Sequence, residues 1–128
     1  MPQEKIELNP SEWKVIRAVW EHEPCTAPDI QEKLARSTGW TYSTVRTLMD
    51  RMAAKGLLKT EKLRNLTLFR SAVTPAAAQR SALRHTLTRV FNGALTPMMQ
   101  CLLESGDLSE KELAEIEALI KAKRKKRK

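Results

Sequence analysis

The residues best able to do chemistry in this chain of 128 residues stand close together: Tyr42, Ser43, Thr44, Arg46, Thr47 and Arg51. At 3.6 residues per turn, Ser43, Thr47, Asp50 and Ala54 share one side of a helix, with Arg46 and Arg51 flanking them. Val45, Leu48, Met49 and Met52 fall at i, i+3, i+4 and i+7 on the other side and read as core. The first face has short hydroxyls and guanidinium groups near its N-terminal half, which suits a major groove about 12 Å wide. There Arg46 can bond bidentately to guanine, Thr44 and Thr47 can meet a thymine methyl or a phosphate, and Tyr42 can reach a phosphate oxygen. Asp50, four residues after Arg46, reads as an intrahelical ion-pair partner that orients the arginine. Taken alone, the same pattern also describes a solvated amphipathic helix.

Other chemistry is sparse. Cys25 and Cys101 are far apart and lack CxxC spacing, so they suggest neither a disulfide framework nor a structural zinc site. Both read as small, partly buried hydrophobes. His22 and Cys25 give only two donors in a loop, and no metal or cofactor is expected. No paired carboxylates sit in an apolar context, no nucleophile is followed by a base, and no sequence pattern around His22 or His85 marks either as a catalytic base, so the chain does not read as an enzyme.

The elements that must hold these residues follow from caps and breakers. Asn9 as N-cap, Pro10 at the first helical position and Glu12 closing a capping box start a helix whose apolar face is Trp13, Ile16, Val19 and Trp20; it ends before Pro24. Thr26 caps a second helix with Asp29 in the box and Ile30 and Leu34 inward, broken at Ser37-Thr38-Gly39. Thr41 caps the third, which runs to about Lys55 and stops at Gly56. Leu57 to Leu63 and Leu66 to Val73 then read as a hairpin around Arg64-Asn65, with Lys59, Lys62, Arg64 and Arg70 as backbone contacts. Three capped helices followed by a basic-tipped hairpin describe a winged helix-turn-helix.

Beyond the hairpin, Thr74-Pro75 opens a helix through about Asn92, Thr96-Pro97 a short one ended at Ser105-Gly106, and Ser109 with Glu112 a last one. They carry Leu83, Leu87, Val90 and Phe91, then Met98, Met99, Leu102 and Leu103, then Leu113, Ile116, Leu119 and Ile120. About 50 residues cannot enclose a large core of their own, so these stripes call for a second copy of the chain. The expected fold is therefore mainly α with a small β-hairpin. A winged helix-turn-helix at residues 1–73 leads to a helical dimerisation region at 74–120 and a basic, disordered tail at 121–128.

The net charge of +8 belongs to that tail, where seven of eight residues are basic; the rest carries 16 basic and 15 acidic side chains. Within it, residues 9–72 hold 11 basic and 7 acidic groups, whereas residues 73–120 hold 4 and 6, so the positive half is the expected nucleic-acid face. The tail suits weak phosphate binding, solubilisation or contact with anionic lipid. No apolar run approaches a membrane span, and a cytoplasmic location without membrane insertion is expected. An adaptor that uses the winged region to bind protein or RNA remains the rival class, although exposed stacking aromatics other than Tyr42 and Trp40 are lacking.

The strings Leu8-Asn9-Pro10-Ser11-Glu12-Trp13, Val19-Trp20, Gly39-Trp40-Thr41-Tyr42-Ser43-Thr44-Val45 and Arg51-Met52-Ala53-Ala54-Lys55-Gly56-Leu57-Leu58 resemble the penicillinase-repressor family, known as BlaI/MecI, with its copper-responsive CopY relatives. The resemblance continues through Phe91-Asn92-Gly93 and Leu108-Ser109 to Ile120. It implies a homodimeric bacterial repressor whose winged helix reads an inverted repeat in double-stranded DNA and whose C-terminal helices form the dimer. By position, the base-reading segment falls on Ser43 and Thr44, with Arg46 and Thr47 one turn further on. The resemblance also implies a membrane-bound sensor protease as partner, cutting at an Asn-Phe pair. The matching positions here are Cys101-Leu102. The second wing strand keeps Arg64 but lacks the family's tyrosines, and the Cys-x-Cys pairs of the copper-responsive members are missing.

Overall fold

The computed structural model describes residues 6–127, so Met1–Lys5 of the expected first domain and Lys128 of the expected tail lie outside the described residues. Helices α1 (Pro10–His22), α2 (Ala27–Thr38) and α3 (Tyr42–Ala54) precede strands β1 (Leu58–Leu63) and β2 (Leu66–Ser71); α4 (Pro75–Phe91), α5 (Leu95–Glu104) and α6 (Glu110–Lys126) follow. The caps are those the sequence supplies. The Asn9 side chain accepts from the Glu12 amide at 2.8 Å while Glu12 Oε1 accepts from the Asn9 amide at 2.9 Å, and Thr26 with Asp29 and Ser109 with Glu112 repeat the arrangement. Each pair satisfies two helix-end amides that would otherwise lack partners. Gly39 ends α2 at φ +72°, a left-handed conformation that side chains strain to adopt.

The core of the winged part combines Val15, Ile16 and Val19 of α1, Ile30 and Leu34 of α2, Val45, Met49 and Met52 of α3, Leu57, Leu58 and Phe69. Leu48, Trp13 and Trp20 pack around it, partly buried. Burying each such side chain contributes about 1.5–3 kcal/mol, so the apolar stripe of α3 fixes which of its faces points outward. The strands pair antiparallel in the register Leu58↔Ser71 through Leu63↔Leu66. Cys25 adds a one-residue third rung: its amide donates to the Phe69 carbonyl at 3.1 Å and its carbonyl accepts from the Phe69 amide at 2.7 Å. The hairpin is thereby attached to the α1–α2 connection, and Trp20 Nε1 completes the attachment by donating to Ser71 Oγ at 2.8 Å and to the Val73 carbonyl at 3.0 Å. A free hairpin would be marginal in water; this one is held along its base.

The chain divides between Arg84 and His85 into two compact units. That division falls later than the expected boundary at 73/74, because the first turns of α4 belong with the winged part: Ala78 is fully buried, and Ser81 Oγ donates to the Ile6 carbonyl at 2.9 Å. Two further expectations are corrected. Helix α5 starts at Leu95, one residue before the Thr96-Pro97 opening expected from the sequence, behind an Ala94 N-cap that makes no side-chain bond. Pro97 then occupies the third helical position, where the amide it lacks has no intrahelical partner in any case. Helix α6 continues to Lys126, through most of the segment expected to be disordered. That segment contains no glycine or proline, its lysines, arginines and alanine favour helix, and cations at a helix C-terminus interact well with the macrodipole.

Candidate nucleic-acid interface

Along the outward face of α3, Tyr42, Ser43, Thr44, Thr47, Asp50 and Arg51 are exposed, opposite fully buried Val45, Met49 and Met52. The face begins with a hydroxyl cluster. Thr41 Oγ1 accepts from the Thr44 amide at 3.3 Å, donates to Thr44 Oγ1 at 3.2 Å and lies 3.3 Å from Ser43 Oγ. The first turns of α1, α2 and α6 carry acids; that of α3 has none, which leaves its positive end unopposed by an acid there.

Arg46 is the most engaged member of the face. Its Nε donates to both carboxylate oxygens of Asp50 at 3.2 Å, and Nη1 donates to Tyr42 Oη at 3.4 Å. The guanidinium carbon stands 5.8 Å from the centroid of the Phe69 ring, so the arginine lies over a wing residue that is itself fully buried. The Tyr42 hydrogen bond first, and then the Asp50 carboxylate, hold the Arg46 pKa above its ordinary value. The arginine carries its full charge at any pH relevant to nucleic-acid binding. The Arg46–Asp50 pair is thus where the four-residue spacing places it, whereas the Phe69 contact was not legible, since it joins positions in different elements. Lys59, Lys62, Arg64 and Arg70 are all exposed on the wing, with Arg64 at the turn in a left-handed conformation, φ 59°.

One buried carboxylate ties down the end of α3. Glu12, only 3% exposed, receives the Lys55 ammonium on Oε2 at 2.5 Å, which ties the end of α3 to the start of α1 across 43 residues of sequence. Nothing in the residue spacing announces this pair; the capping box alone places Glu12. Cys25 is buried as expected, and its thiol is pushed up to about 11, first by burial and then by the Asp29 and Glu23 carboxylates. Cys101 is exposed.

None of the residues expected at a dimer contact is buried. Leu83, Val90, Leu102, Leu103, Leu113 and Ile120 are exposed, and Leu87, Phe91 and Ile116 are half-buried. No side chain of α5 or α6 counts among the buried residues. Among the described residues no cluster of His, Cys, Asp or Glu could hold a metal ion, and no helix is long and apolar enough to cross a membrane.

Residues 8–122 match the family described as Penicillinase repressor. The methicillin resistance regulatory protein MecI of Staphylococcus aureus (strain N315) is 24% identical over 96% of this chain and 100% of its own length. The penicillinase repressor of Bacillus licheniformis is 21% identical over 95% of each. The solution structure of the DNA-binding domain of the repressor BlaI superposes with a TM-score of 0.51 at 17% identity, covering 59% of this chain and 92% of that one. That of the Bacillus licheniformis BlaI monomer in complex with the blaP half-operator gives 0.50 at 18% identity, covering 57% and 89%. At such identities the likeness establishes the winged-helix fold.

Proposed function

The chain belongs to the penicillinase-repressor family, and on that premise we propose that it represses transcription by binding an inverted-repeat operator as a homodimer, with α3 in the major groove. The observation that carries this reading is the two-sided character of α3. Its apolar stripe is locked into the core by Val45, Met49 and Met52, so Ser43, Thr44, Arg46, Thr47 and Arg51 project together from a rigid support. Lys62 and Arg64 on the wing supply phosphate contacts beside the groove, and these fix register without carrying sequence information. A BlaI relative of the same fold binds a half-operator.

The second part of the reading rests on the C-terminal helices. Leu83, Val90, Leu102, Leu103 and Ile120 are between 46% and 68% exposed in the single chain, and large apolar side chains left open on consecutive helices suit coverage by a partner. A second copy covers them, and twofold symmetry in the protein then matches twofold symmetry in the operator.

The test is selection of duplexes from a random-sequence pool by the full-length chain, followed by binding measurements at several salt concentrations. The expected winner is an inverted repeat with half-site centres about one helical turn, or a multiple of it, apart. Arg46→Lys, which keeps the charge but loses the planar fork, should relax preference at one G·C position per half-site while random-duplex binding stays nearly unchanged. Enrichment of no duplex, or stronger binding to single strands, would overturn the reading.

A further inference from the structure

The proposed function leaves one feature of the α3 face without a purpose. Asp50 places a carboxylate, 56% exposed, on the surface that would meet a polyanion. Helix stability does not account for it. Of the two orders of an i,i+4 ion pair, acid after base is the less favourable one, because it opposes the helix dipole. Asp50 also stands in the C-terminal half of α3, away from the end where an acid is favoured.

The contacts of Arg46 suggest what Asp50 does instead. A guanidinium has five N–H donors. Asp50 takes the one on Nε and Tyr42 takes one on Nη1, which leaves three donors, all on Nη1 and Nη2, for an outside acceptor. Phe69 backs one face of the group. A side chain with four rotatable torsions is thus held on three sides, and its loss of rotamer freedom has largely occurred before any DNA arrives. The same carboxylate offsets the guanidinium charge and repels phosphates, so a helix resting loosely on a non-cognate backbone gains little from Arg46.

We propose that Asp50 is a specificity-determining positioning residue: by holding Nε of Arg46 it presents the remaining fork to a base edge and withholds the arginine from phosphates, raising the ratio of operator to random-duplex affinity. This role rests on the DNA-reading function proposed above. Tyr42 shares the positioning, and its own O–H remains free to donate to a phosphate.

The experiment uses the full-length chain and two duplexes, the one enriched by the wild type from a random pool and a scrambled version of it. With Asp50→Ala, affinity for the scrambled duplex should rise a few-fold, its salt slope should steepen by about one phosphate contact, and the operator-to-scrambled ratio should fall roughly tenfold. The same substitution in an Arg46→Met background, where the aliphatic stem still covers Phe69, should raise both affinities and leave the ratio unchanged. A role in folding alone would lower both affinities together and leave the salt slope as it was. An unchanged ratio in Asp50→Ala overturns the role of Asp50, as does an equal fall in the Arg46→Met background, where the carboxylate has no arginine to hold. A wild type without preference between the two duplexes overturns the DNA-reading function itself, a failure visible before any variant is compared.

Discussion

Removing the Lys55 ammonium should destabilise the winged part more than its exposed position suggests, because its partner is not exposed. The Glu12 side chain is 4% accessible against 49% for Lys55, and its two oxygens are divided between two tasks: Oε1 accepts the Asn9 amide, Oε2 the Lys55 ammonium. In Lys55→Met, Oε1 keeps its bond while Oε2 is left buried and unpaired, at a cost of about 1–3 kcal/mol. Glu12→Gln keeps an amide oxygen for the capping box and frees Lys55 into water, so about 1 kcal/mol is expected, and Glu12→Ala, which also loses the box, should cost about 2–3 kcal/mol. The double variant Glu12→Gln with Lys55→Met has no buried charge left to satisfy and should cost less than the sum of its parts by about 1 kcal/mol or more. Urea unfolding at fixed protein concentration, followed by circular dichroism, reads these differences; the concentration must be held because the proposed self-association would contribute to the apparent stability. Additivity within about 0.5 kcal/mol, or a Lys55→Met cost below that value, would refute the argument by showing that water takes the place of the ammonium. Because this pair anchors the end of α3, Lys55→Met should also weaken operator binding more than random binding.

Replacing Leu87 and Ile116 together with aspartate should convert a dimer to monomers in sedimentation, since unpaired charge in an apolar seam costs several kcal/mol; a double variant that stays dimeric would place the interface elsewhere. Deleting residues 121–128 should weaken binding to all duplexes about equally and flatten the salt slope; a selective loss of operator binding would assign the segment a reading role. The buried Cys25 thiol contributes stability that is fully present below pH 9.0 and lost as pH rises through about 11, because the unfolded chain releases that proton first. The unfolding free energy measured from pH 8 to 11 should therefore fall more steeply for the wild type than for Cys25→Ala, and parallel curves would contradict this. In cells exposed to a cell-wall antibiotic, mass spectrometry should find the Cys101-Leu102 bond intact, since a protease that selects an Asn side chain loses its hydrogen bonds to a thiol; fragments ending at Cys101 would sink this expectation.

Where the amino-acid sequence speaks through neighbours within four residues, it determined the structure closely. The capping boxes at Asn9, Thr26 and Ser109, the stop at Gly39, the turn at Arg64-Asn65 and the Arg46–Asp50 pair all follow from groups close along the chain, whose geometry the helix or turn itself imposes. The stripe Val45, Met49 and Met52 likewise chose the buried face of α3, because periodicity is a local property of the backbone. Tertiary structure decided what joins distant segments: Cys25 as a rung against Phe69, Phe69 beneath Arg46, Lys55 on the buried Glu12, and the first turns of α4 held at Ser81 by Ile6. No spacing encodes such pairs, since each depends on how several helices pack at once, and a hydrophobic surface specifies burial without naming its partner. The tail departs from expectation for a different, local reason. Its lysines and arginines read as a solvated charge run, yet they carry on a helix already nucleated at Ser109, where each added residue gains a hydrogen bond without a new nucleation cost.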